Sequence, residues 1–214
     1  METKNSVGIY KYKSSNVRSL INALDLVSEK YYISENFSEL LNIDRVIIPG
    51  IGNMKGFQSE NSIKTISKEI RKYIDNGGLV YGICLGLQLL VDFNEEANIK
   101  TLGIISGQTI DIKKEFKINL NVGFNNLVIK KDDFNSNLLK ELFNDIDIDA
   151  KFYFLHKYYC KVNDEKIRII STKLNGKYLP SLFIKDNILG TQFHPELSKK
   201  NGLKFLKNFC NYKL

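Results

Sequence analysis

Hydrophobic residues in the first half of the chain occur in short runs that alternate with amphipathic stretches. The runs predict buried β-strands at Val7–Tyr10, Arg45–Ile48 and Leu79–Ile83, and a weaker strand at Tyr31–Ile33. Helical spacing of apolar residues predicts two intervening helices, one through Val17, Leu20, Ile21 and Leu24 and one through Ile63, Ile66, Ile70, Tyr73 and Ile74. Asn16 is predicted to cap the first helix, and Gly77-Gly78 to end the second. This alternation predicts a mostly parallel sheet covered by helices on both faces.

The second half of the chain is richer in strand patterns. Five segments separated by polar turns are predicted as strands: Thr109–Ile112, Leu127–Ile129, Lys151–Phe154, Ile167–Ile170 and Ser181–Ile184. We interpret them as antiparallel additions that return the chain to the central sheet. A buried strand, Ile188–Phe193, and a last helix, Leu203–Phe209, follow. We therefore predict a single α/β domain over residues 1–214, with a mostly parallel central sheet, flanking helices and additional antiparallel strands.

Composition narrows the class of protein. A chain of 214 residues with 43% hydrophobic residues is long enough for one α/β domain with a sizeable core. Three cysteines, two histidines and no C-x-x-C spacing argue against a disulfide framework and a structural zinc site, so no metal and no cofactor are predicted. The start, residues 1–5, is polar, and no apolar run approaches the length of a membrane span. A secretory signal and a membrane are therefore not expected, and the cytoplasm is the predicted location.

The net charge of +7 has two interpretations. Lysine pairs such as Lys113-Lys114, Lys130-Lys131 and Lys199-Lys200 are scattered and form no aromatic or arginine-rich stripe of the kind that binds nucleic acid. A solvated lysine surface is the favoured interpretation, and nucleic acid is not a predicted partner. A basic docking face for an acidic partner is the alternative.

The candidate chemistry begins where the strand Leu79–Ile83 meets a helix-type segment. Gly82-Ile83-Cys84-Leu85-Gly86 is the thiol version of the G-x-S-x-G nucleophile elbow, a tight strand-to-helix turn that exposes its central side chain. This turn also places the sulfur at a helix N-terminus, where the dipole and free N–H groups favour a thiolate. The alternative is a buried structural cysteine in a glycine-rich turn.

A second segment, Gln192-Phe193-His194-Pro195-Glu196, supplies the groups that such a thiol needs. A thiol nucleophile requires a base, and the base requires a third group to hold its tautomer. His194 and Glu196 are two residues apart, so on an extended segment they project to the same face. Without the cysteine elbow, His194 would be interpreted as a histidine that ends a strand. With it, the sequence predicts a Cys-His-Glu triad.

These motifs, with Gln88 and Pro49–Gly52, resemble those of class I (triad) glutamine amidotransferases. Further segments are similar to the glutaminase subunits of imidazole glycerol phosphate synthase: Tyr153–Tyr159 to YFxHSYY, Leu102–Gly107 to GLGxIxG, and Gly202–Phe209 to GLxLLxNF. The similarity extends from Ile9 to Phe209. It implies the fold predicted above and hydrolysis of glutamine to glutamate and ammonia.

In this chemistry Cys84 is the predicted nucleophile, His194 the proton acceptor and then donor, and Glu196 its orienting partner. The N–H of Leu85 is one candidate oxyanion donor, and the resemblance implies the N–H of Ile51 as the second. A plain strand-terminating turn is the alternative for Pro49–Gly52.

The predicted substrate contacts surround these groups. Gln88 lies one helical turn after Cys84, and the resemblance adds the remaining contacts: Gly50, Gly52, His156, Lys157 and Tyr158. His156 has a core histidine as an equally weighted alternative. Cys160, interpreted as ending the aromatic strand, and Cys210, at the end of the last helix, are interpreted as structural.

The resemblance also implies a partner, a cyclase subunit with a (β/α)8 barrel that forms a heterodimer with the chain and receives its ammonia. Glycines on both sides of Ile51 suggest a site that is switched on only by that partner. The chain departs from the pattern in three places: Lys11–Asn16 replaces a DYGxGN loop, Leu120–Asn125 replaces a PHMGWN-like segment, and Lys157 replaces a serine.

Alternative functions therefore stay open. One is a paralogous subunit that supplies ammonia for sugar amidination in surface-polysaccharide synthesis. Another is a catalytically silent interaction subunit. A stand-alone thiol hydrolase is a further alternative, disfavoured by Gln88 and the Tyr153–Tyr159 segment.

Overall fold

The computed structural model describes residues 6–27, 29–52, 54 and 60–213, so the polar start at residues 1–5 lies outside the described residues. The strands are β1 (Val7–Tyr10), β2 (Ser15–Asn16), β3 (Tyr31–Ser34), β4 (Arg45–Ile48), β5 (Ile51–Gly52), β6 (Leu79–Ile83), β7 (Phe93–Asn94), β8 (Ile99–Lys100), β9 (Gly107–Asp111), β10 (Asn121–Val128), β11 (Lys151–His156), β12 (Tyr158–Val162), β13 (Arg168–Leu174), β14 (Lys177–Lys185) and β15 (Ile188–Thr191). The α-helices are α1 (Arg18–Leu26), α2 (Glu60–Asp75), α3 (Leu85–Leu90), α4 (Ile112–Phe116), α5 (Asn137–Leu142) and α6 (Lys199–Asn211).

Within the described ranges, nine strands form the main sheet in the order β11-β10-β13-β14-β15-β6-β4-β1-β3. The run from β15 to β3 is parallel throughout, whereas β11, β10, β13 and β14 pair antiparallel with their neighbours. A smaller sheet, ordered β12-β9-β7-β8, packs beside it. The predicted α/β class with antiparallel additions is confirmed, and the main sheet is mixed, with four parallel and four antiparallel strand pairings.

Two hydrophobic clusters cover the two faces of the parallel strands. Ile9 and Ile47 face one cluster, which contains Leu20 and Leu24 of α1 and Phe205 of α6. Their strand neighbours Tyr10, Val46 and Ile48 face the other, built on Ile66 and Ile70 of α2 and Leu87 of α3. Alternate residues of each strand are thus buried on opposite faces, as expected for a sheet between two helical layers.

Predictions for the parallel half agree closely with the structure. β1, β4 and β6 have the predicted bounds, and β3 extends one residue further, to Ser34. Gly77, at a φ of 92°, and Gly78 end α2 through N–H bonds to the carbonyls of Ile74 and Tyr73. The prediction for Asn16 was wrong in detail, because Val17 is the cap residue and makes no side-chain cap bond. The Asn16 side chain instead accepts the N–H of Arg18 at 3.0 Å.

Predictions for the antiparallel half differ more from the structure. Ile112 begins α4 rather than ending a strand, because the side chain of Asp111 caps a helix there by accepting the N–H of Lys113. Strand β10 covers Asn121–Val128 instead of Leu127–Ile129. Cys160 does not end the aromatic strand β11, since the chain turns after His156 and places Cys160 within β12 of the smaller sheet. The interpretation of Leu203–Phe209 as a helix is confirmed by α6.

None of the helices in the described part of the chain is long and apolar enough to cross a membrane.

Candidate active site

Cys84 stands at the junction of β6 and α3 with a φ of 43° and a ψ of −99°. A positive φ is uncommon and costly for a residue with a Cβ atom, and such strain persists only where the surroundings hold it. Here the strand is central in the sheet and the helix starts at the next residue, so the turn has no room to relax. The sequence-predicted elbow is therefore present, with the sulfur at the carboxyl edge of the parallel strands.

The two elbow glycines are required by close packing of the backbone. A Cβ on Gly82 would lie 2.7 Å from the backbone nitrogen of Leu87, and one on Gly86 would collide with the carbonyl of Ile48. Gly50 is similarly confined, since its Cβ would be 2.6 Å from the carbonyl of Ile83. These contacts press the Pro49–Gly52 loop against the elbow, which explains why glycine recurs in both segments.

Strand β15 brings the histidine segment to the cysteine. It pairs parallel with β6, with Thr191 opposite Ile83, and the carbonyl of Thr191 accepts the N–H of Cys84 at 2.6 Å. Three residues later, the backbone N–H of His194 bonds the carbonyl of Tyr153 at 2.8 Å. The hydroxyl of Ser198 donates to the carbonyl of His194 at 2.5 Å. His194 is thus fixed from both sides of its backbone.

His194 and Glu196 form the predicted pair, with 2.8 Å between Nδ1 and Oε1, and their side chains are 3% and 2% exposed. The expectation that both residues lie on an extended segment was wrong, because Pro195 starts a 3₁₀ turn over Pro195–Leu197. Proline suits the first position of such a turn, since its fixed φ is helical and it has no N–H to satisfy. The turn still returns the carboxylate to the ring. The second carboxylate oxygen, Oε2, is buried and has no hydrogen-bond partner among the described residues.

The electrostatics favour a protonated ring at His194. Burial by itself lowers its pKa, but the nearby sulfur of Cys84 and the hydrogen-bonded carboxylate of Glu196 oppose this, and the pKa stands well above its ordinary value. His194 interacts electrostatically with the sulfur of Cys84 and bonds the carboxylate of Glu196, so sulfur, imidazole and carboxylate stand in sequence.

A cavity of about 160 Å³ opens beside the sulfur, lined by Gly50, Gly52, Cys84, Leu85, Gln88, Glu96, Leu155, His156, Lys157 and Tyr158. Every residue predicted to contact substrate lies on this wall. Ile51 is between two wall residues, in the short strand β5, where it pairs with Asn16 of β2. Leu85, the first residue of α3, has an N–H without an intrahelical partner.

Two wall residues were missed by the sequence predictions, Glu96 and Leu155. Glu96 is an exposed residue in the turn between β7 and β8, and no local motif distinguishes it from neighbouring acidic residues. Leu155 belongs to the predicted aromatic strand, where its 45% exposure could not be inferred from alternation alone.

The end of β11 and the start of β12 join α3 through the carbonyl of Tyr158. This oxygen accepts the side-chain amide of Gln88 at 3.1 Å and the Nδ1–H of His156 at 3.0 Å. The other ring nitrogen, Nε2, accepts from the amide of Asn121 at 2.9 Å. Burial lowers the pKa of His156 to about 3, so the ring is neutral and acts as a hydrogen-bonded wall residue.

Residues of both signs of charge line the cavity. Glu96 supplies a carboxylate, and Lys157 supplies an ammonium group that is 54% exposed. The Lys157 ammonium lies 3.8 Å from the carboxylate of Asp111 and 5.5 Å from the ring centre of Tyr158. Within the described residues, no group of three or more His, Cys, Asp or Glu side chains is placed to hold a metal ion.

An exposed apolar surface adjoins the cavity. Val122 pairs with Leu155, and Phe124 with Tyr153, so the four side chains share the outward side of β10 and β11. Val122 is 57% exposed, Phe124 39% and Leu155 45%. The Nζ of Lys199 lies 5.1 Å from the ring centre of Phe124. We call Val122, Phe124, Tyr153 and Leu155 the outer apolar face. A patch of this kind next to a cavity is typical of an interaction site.

The three cysteines all lie in the described part of the chain and are free and buried. Burial raises the pKa of the Cys160 and Cys210 thiols well above the ordinary value, which leaves both protonated and unreactive.

Comparison with known proteins agrees with this geometry. The sequence model of the family described as glutamine amidotransferase class-I matches residues 9–212. The chain is 39% identical over 204 residues to the imidazole glycerol phosphate synthase subunit HisH of Methanocaldococcus jannaschii, covering 95% of this chain and 97% of that protein. It is 32% identical over 207 residues to subunit HisH of Chlorobaculum tepidum, covering 96% and 100%.

Among solved structures, the fold is similar to a chain of PurLQS from Thermotoga maritima, with a TM-score of 0.71 and 20% identity, covering 98% of this chain and 99% of that one. A second structure, described as a glutamine amidotransferase, gives a TM-score of 0.68 at 17% identity, covering 94% and 97%. The family match, the two full-length relatives and the shared fold agree: this chain belongs to the class I glutamine amidotransferases.

Proposed function

We propose that the whole chain, residues 1–214, acts as one glutaminase domain that hydrolyses glutamine to glutamate and ammonia. The ammonia passes to a cyclase subunit that forms imidazole glycerol phosphate in histidine biosynthesis. The observation that carries this proposal is the chain of Cys84, His194 and Glu196 beside a cavity with one carboxylate and one ammonium group. A reducing cytoplasm is the compartment that suits a reactive, unpaired thiol.

In the proposed first half-reaction, the Cys84 thiolate attacks the side-chain carbonyl carbon of glutamine. A C–S bond forms, and the carbonyl electron pair moves to oxygen. The oxyanion is held by the N–H of Leu85 and by that of Ile51, each donor contributing about 3–4 kcal/mol. The C–N bond then breaks as the His194 imidazolium protonates the leaving nitrogen, which departs as ammonia.

In the second half-reaction, neutral His194 accepts a proton from water, which attacks the thioester. Collapse of this second tetrahedral intermediate breaks the C–S bond, releases glutamate and restores the thiolate–imidazolium pair. Glu196 keeps Nδ1 as the donor nitrogen throughout, so that Nε2 is the nitrogen that exchanges protons with sulfur, leaving group and water.

The cavity wall matches the two charged ends of glutamine. Glu96 is the acceptor for the α-ammonium group, and Lys157 is the cation for the α-carboxylate. Gly50 and Gly52 leave room for the substrate chain beside the loop. Gln88, His156 and Tyr158 form the hydrogen-bonded side of the wall, so that mutation of one affects the others.

The outer apolar face is the proposed docking site for the cyclase subunit, a (β/α)8 barrel. It adjoins the cavity through Leu155, which belongs to both surfaces. A partner seated there would close the cavity against water and receive ammonia directly.

The test uses the purified chain, alone and mixed with the cyclase encoded in the same genome. Glutamate formation is measured with glutamine, and imidazole glycerol phosphate formation with glutamine or ammonium. Cys84→Ala should reduce glutamine turnover at least about 10³-fold. Synthesis from ammonium should stay within about twofold, because the cyclase reaction needs only ammonia.

Two results would overturn the proposal. Absence of hydrolysis with the cyclase present would favour a silent interaction subunit. Hydrolysis that depends on a sugar amidotransferase partner and not on the cyclase would favour the polysaccharide pathway. That alternative is motivated by the segments Lys11–Asn16 and Leu120–Asn125, which differ from the family pattern.

Two substitutions on β10 test whether the cyclase binds to the outer apolar face. Val122→Asp places a charge in the outer apolar face and should weaken cyclase binding at least about tenfold. Val128→Asp changes another exposed valine, at the other end of β10 about 20 Å away, and should leave binding unchanged. Equal effects of the two substitutions would contradict the placement of the partner.

A further inference from the structure

Gln192 is a fully buried polar residue that follows β15 and precedes His194 by two positions. Its backbone N–H donates to the carbonyl of Ser181 in β14 at 2.8 Å, so its backbone is held beside that strand. Its side chain points back to the elbow, where Nε2 lies 3.5 Å from the Sγ of Cys84. This is a hydrogen-bond distance for a sulfur acceptor, and the contact joins residues 108 positions apart in sequence.

We propose that Gln192 is a catalytic residue that donates its side-chain amide N–H to the sulfur of Cys84, holding it as a thiolate in line with the cavity. This inference rests on the proposed role of Cys84 as the nucleophile. It adds a group outside the triad that contacts a reacting atom.

The need for such a donor follows from the surroundings of the sulfur. Cys84 is 5% exposed, so little water is available to solvate a negative charge. On another side, the carbonyl oxygen of Leu155 lies 4.0 Å from Sγ and, as an acceptor, favours the protonated thiol. A donor on Gln192 opposes that preference, and hydrogen bonds to the charged form of a group stabilise that form.

The ionisable groups around the sulfur cannot replace this donor. Tyr12 and Cys160 both interact electrostatically with Cys84, but Tyr12 donates its hydroxyl to the carbonyl of Pro49 at 3.3 Å, and Cys160 is a weakly donating thiol that burial keeps protonated. Glu96, on the cavity wall, is an acceptor when ionised. His194 is the cation that interacts electrostatically with the sulfur in the described part of the chain, and it must give up its proton during the reaction. Gln192 keeps its N–H at every step.

The amide oxygen of Gln192 supports the same orientation. Oε1 is buried without a hydrogen-bond partner in the ranges that the structure describes. If the amide were flipped, this oxygen would face the anionic sulfur, and the N–H that now bonds the sulfur would lose its acceptor. The observed orientation leaves the amide oxygen without a hydrogen bond and places the N–H against the sulfur that becomes negatively charged. Such a local loss of stability is common at catalytic sites.

The experiment measures ionisation of Cys84 directly, as the rate of alkylation by iodoacetamide between pH 5 and pH 9, with the modified peptide identified by mass spectrometry. Gln192→Met preserves length and removes the donor. We expect the alkylation midpoint to rise by about one pH unit, and kcat for glutamine with the cyclase present to fall about tenfold at pH 7 with KM within about twofold.

Thr172→Val is the matched control. Thr172 is also buried in the main sheet, with its hydroxyl on the carbonyl of Asn126 at 2.6 Å, but it does not belong to the site. This variant should keep the parental midpoint and kcat. A Gln192→Met protein with the parental midpoint, or a Thr172→Val protein with the same shift, would overturn the inference.

If Gln192→Met does not fold, the unsubstituted chain provides the test. The side-chain amide resonances of Gln192, from ¹⁵N-labelled protein, should move with pH across the alkylation range and stay fixed in Cys84→Ala. Resonances that do not move in the unsubstituted chain would overturn the inference. Failure of the proposed function is a different result, namely an unsubstituted chain that does not hydrolyse glutamine.

Discussion

The chain has only two histidines, both deeply buried, and they lie in opposite electrostatic states. His156, at the end of β11, has an amide and a carbonyl as neighbours, and burial lowers its pKa to about 3. His194, after β15, has a carboxylate and a thiol as neighbours, and its pKa is raised well above the ordinary value. Burial disfavours the charged ring at both sites. Ionisable neighbours decide which ring can carry a proton, and therefore which can do acid–base chemistry.

The largest expected difference comes from the same substitution at both positions. His194→Gln removes the group that exchanges protons, so kcat for glutamine should fall about 10³–10⁴-fold. His156→Gln keeps a neutral hydrogen-bonding side chain in the wall, so kcat should fall no more than about tenfold. Both are measured by glutamate formation with the cyclase present. Losses of equal size would contradict the division of roles.

Glu196→Gln weakens the feature that distinguishes His194. Without the carboxylate, the pKa of His194 should fall, and kcat should drop about 10²–10³-fold because the ring loses both its charge partner and its fixed tautomer. An NMR titration of the ring, compared with the unsubstituted chain, measures the first effect, and glutamate formation measures the second. A ring that titrates as before would exclude Glu196 as the cause of the raised pKa.

Asn121→Asp makes the surroundings of His156 resemble those of His194. A carboxylate in place of the amide that contacts Nε2 should raise the pKa of His156 by about 2 units, which corresponds to about 3 kcal/mol. The measurement is an NMR titration of His156. Asn125→Asp is a nearby control, since Asn125 bonds Asn121 and not the ring. A His156 pKa that stays near 3 in Asn121→Asp would mean that burial alone controls this site.

The smallest expected effect is on stability in acid. His156 is neutral in the folded chain down to about pH 3 but takes up a proton near pH 6.5 when unfolded, so its contribution to stability is lost as pH falls from 6.5 towards 3. Urea unfolding between pH 7 and pH 5 should therefore cost the unsubstituted chain about 2 kcal/mol more than His156→Gln. Parallel losses in the two proteins would contradict the lowered pKa. His194 has the opposite sign, because its raised pKa gives stability below pH 6.5 that is lost as pH rises through the folded value.

The surroundings of His194 could be predicted from the sequence, whereas those of His156 could not. The elbow and the His-Pro-Glu segment depend on local backbone chemistry, namely glycines without Cβ atoms and a proline that starts a turn, so a short motif contains the necessary information. The parallel strands were also predictable, since both faces are buried and their apolar runs are uninterrupted. The pairing of His194 with Cys84 required only the two motifs and the base that a thiol nucleophile needs.

The surroundings of His156 could not be derived in this way. β10 mixes valine, phenylalanine and three asparagines, a pattern without clear alternation, because one side of it is an exposed apolar face. Glu96 and Asn121 reach the site through tertiary packing, from a short turn and from the neighbouring strand. Whether a histidine is neutral or charged depends on such neighbours, and a single sequence does not order them in space.

The adjacency of β6 and β15 has a consequence for biosynthesis. The two strands are separated by more than a hundred residues, yet the thiol gains its base only when the later strand docks beside the earlier one. Pairing over so long a loop is slow compared with local structure. A ribosome that has translated the elbow but not β15 and the histidine after it therefore carries an inert thiol. Glutamine is thereby spared from breakdown by chains in which the two strands have not yet paired.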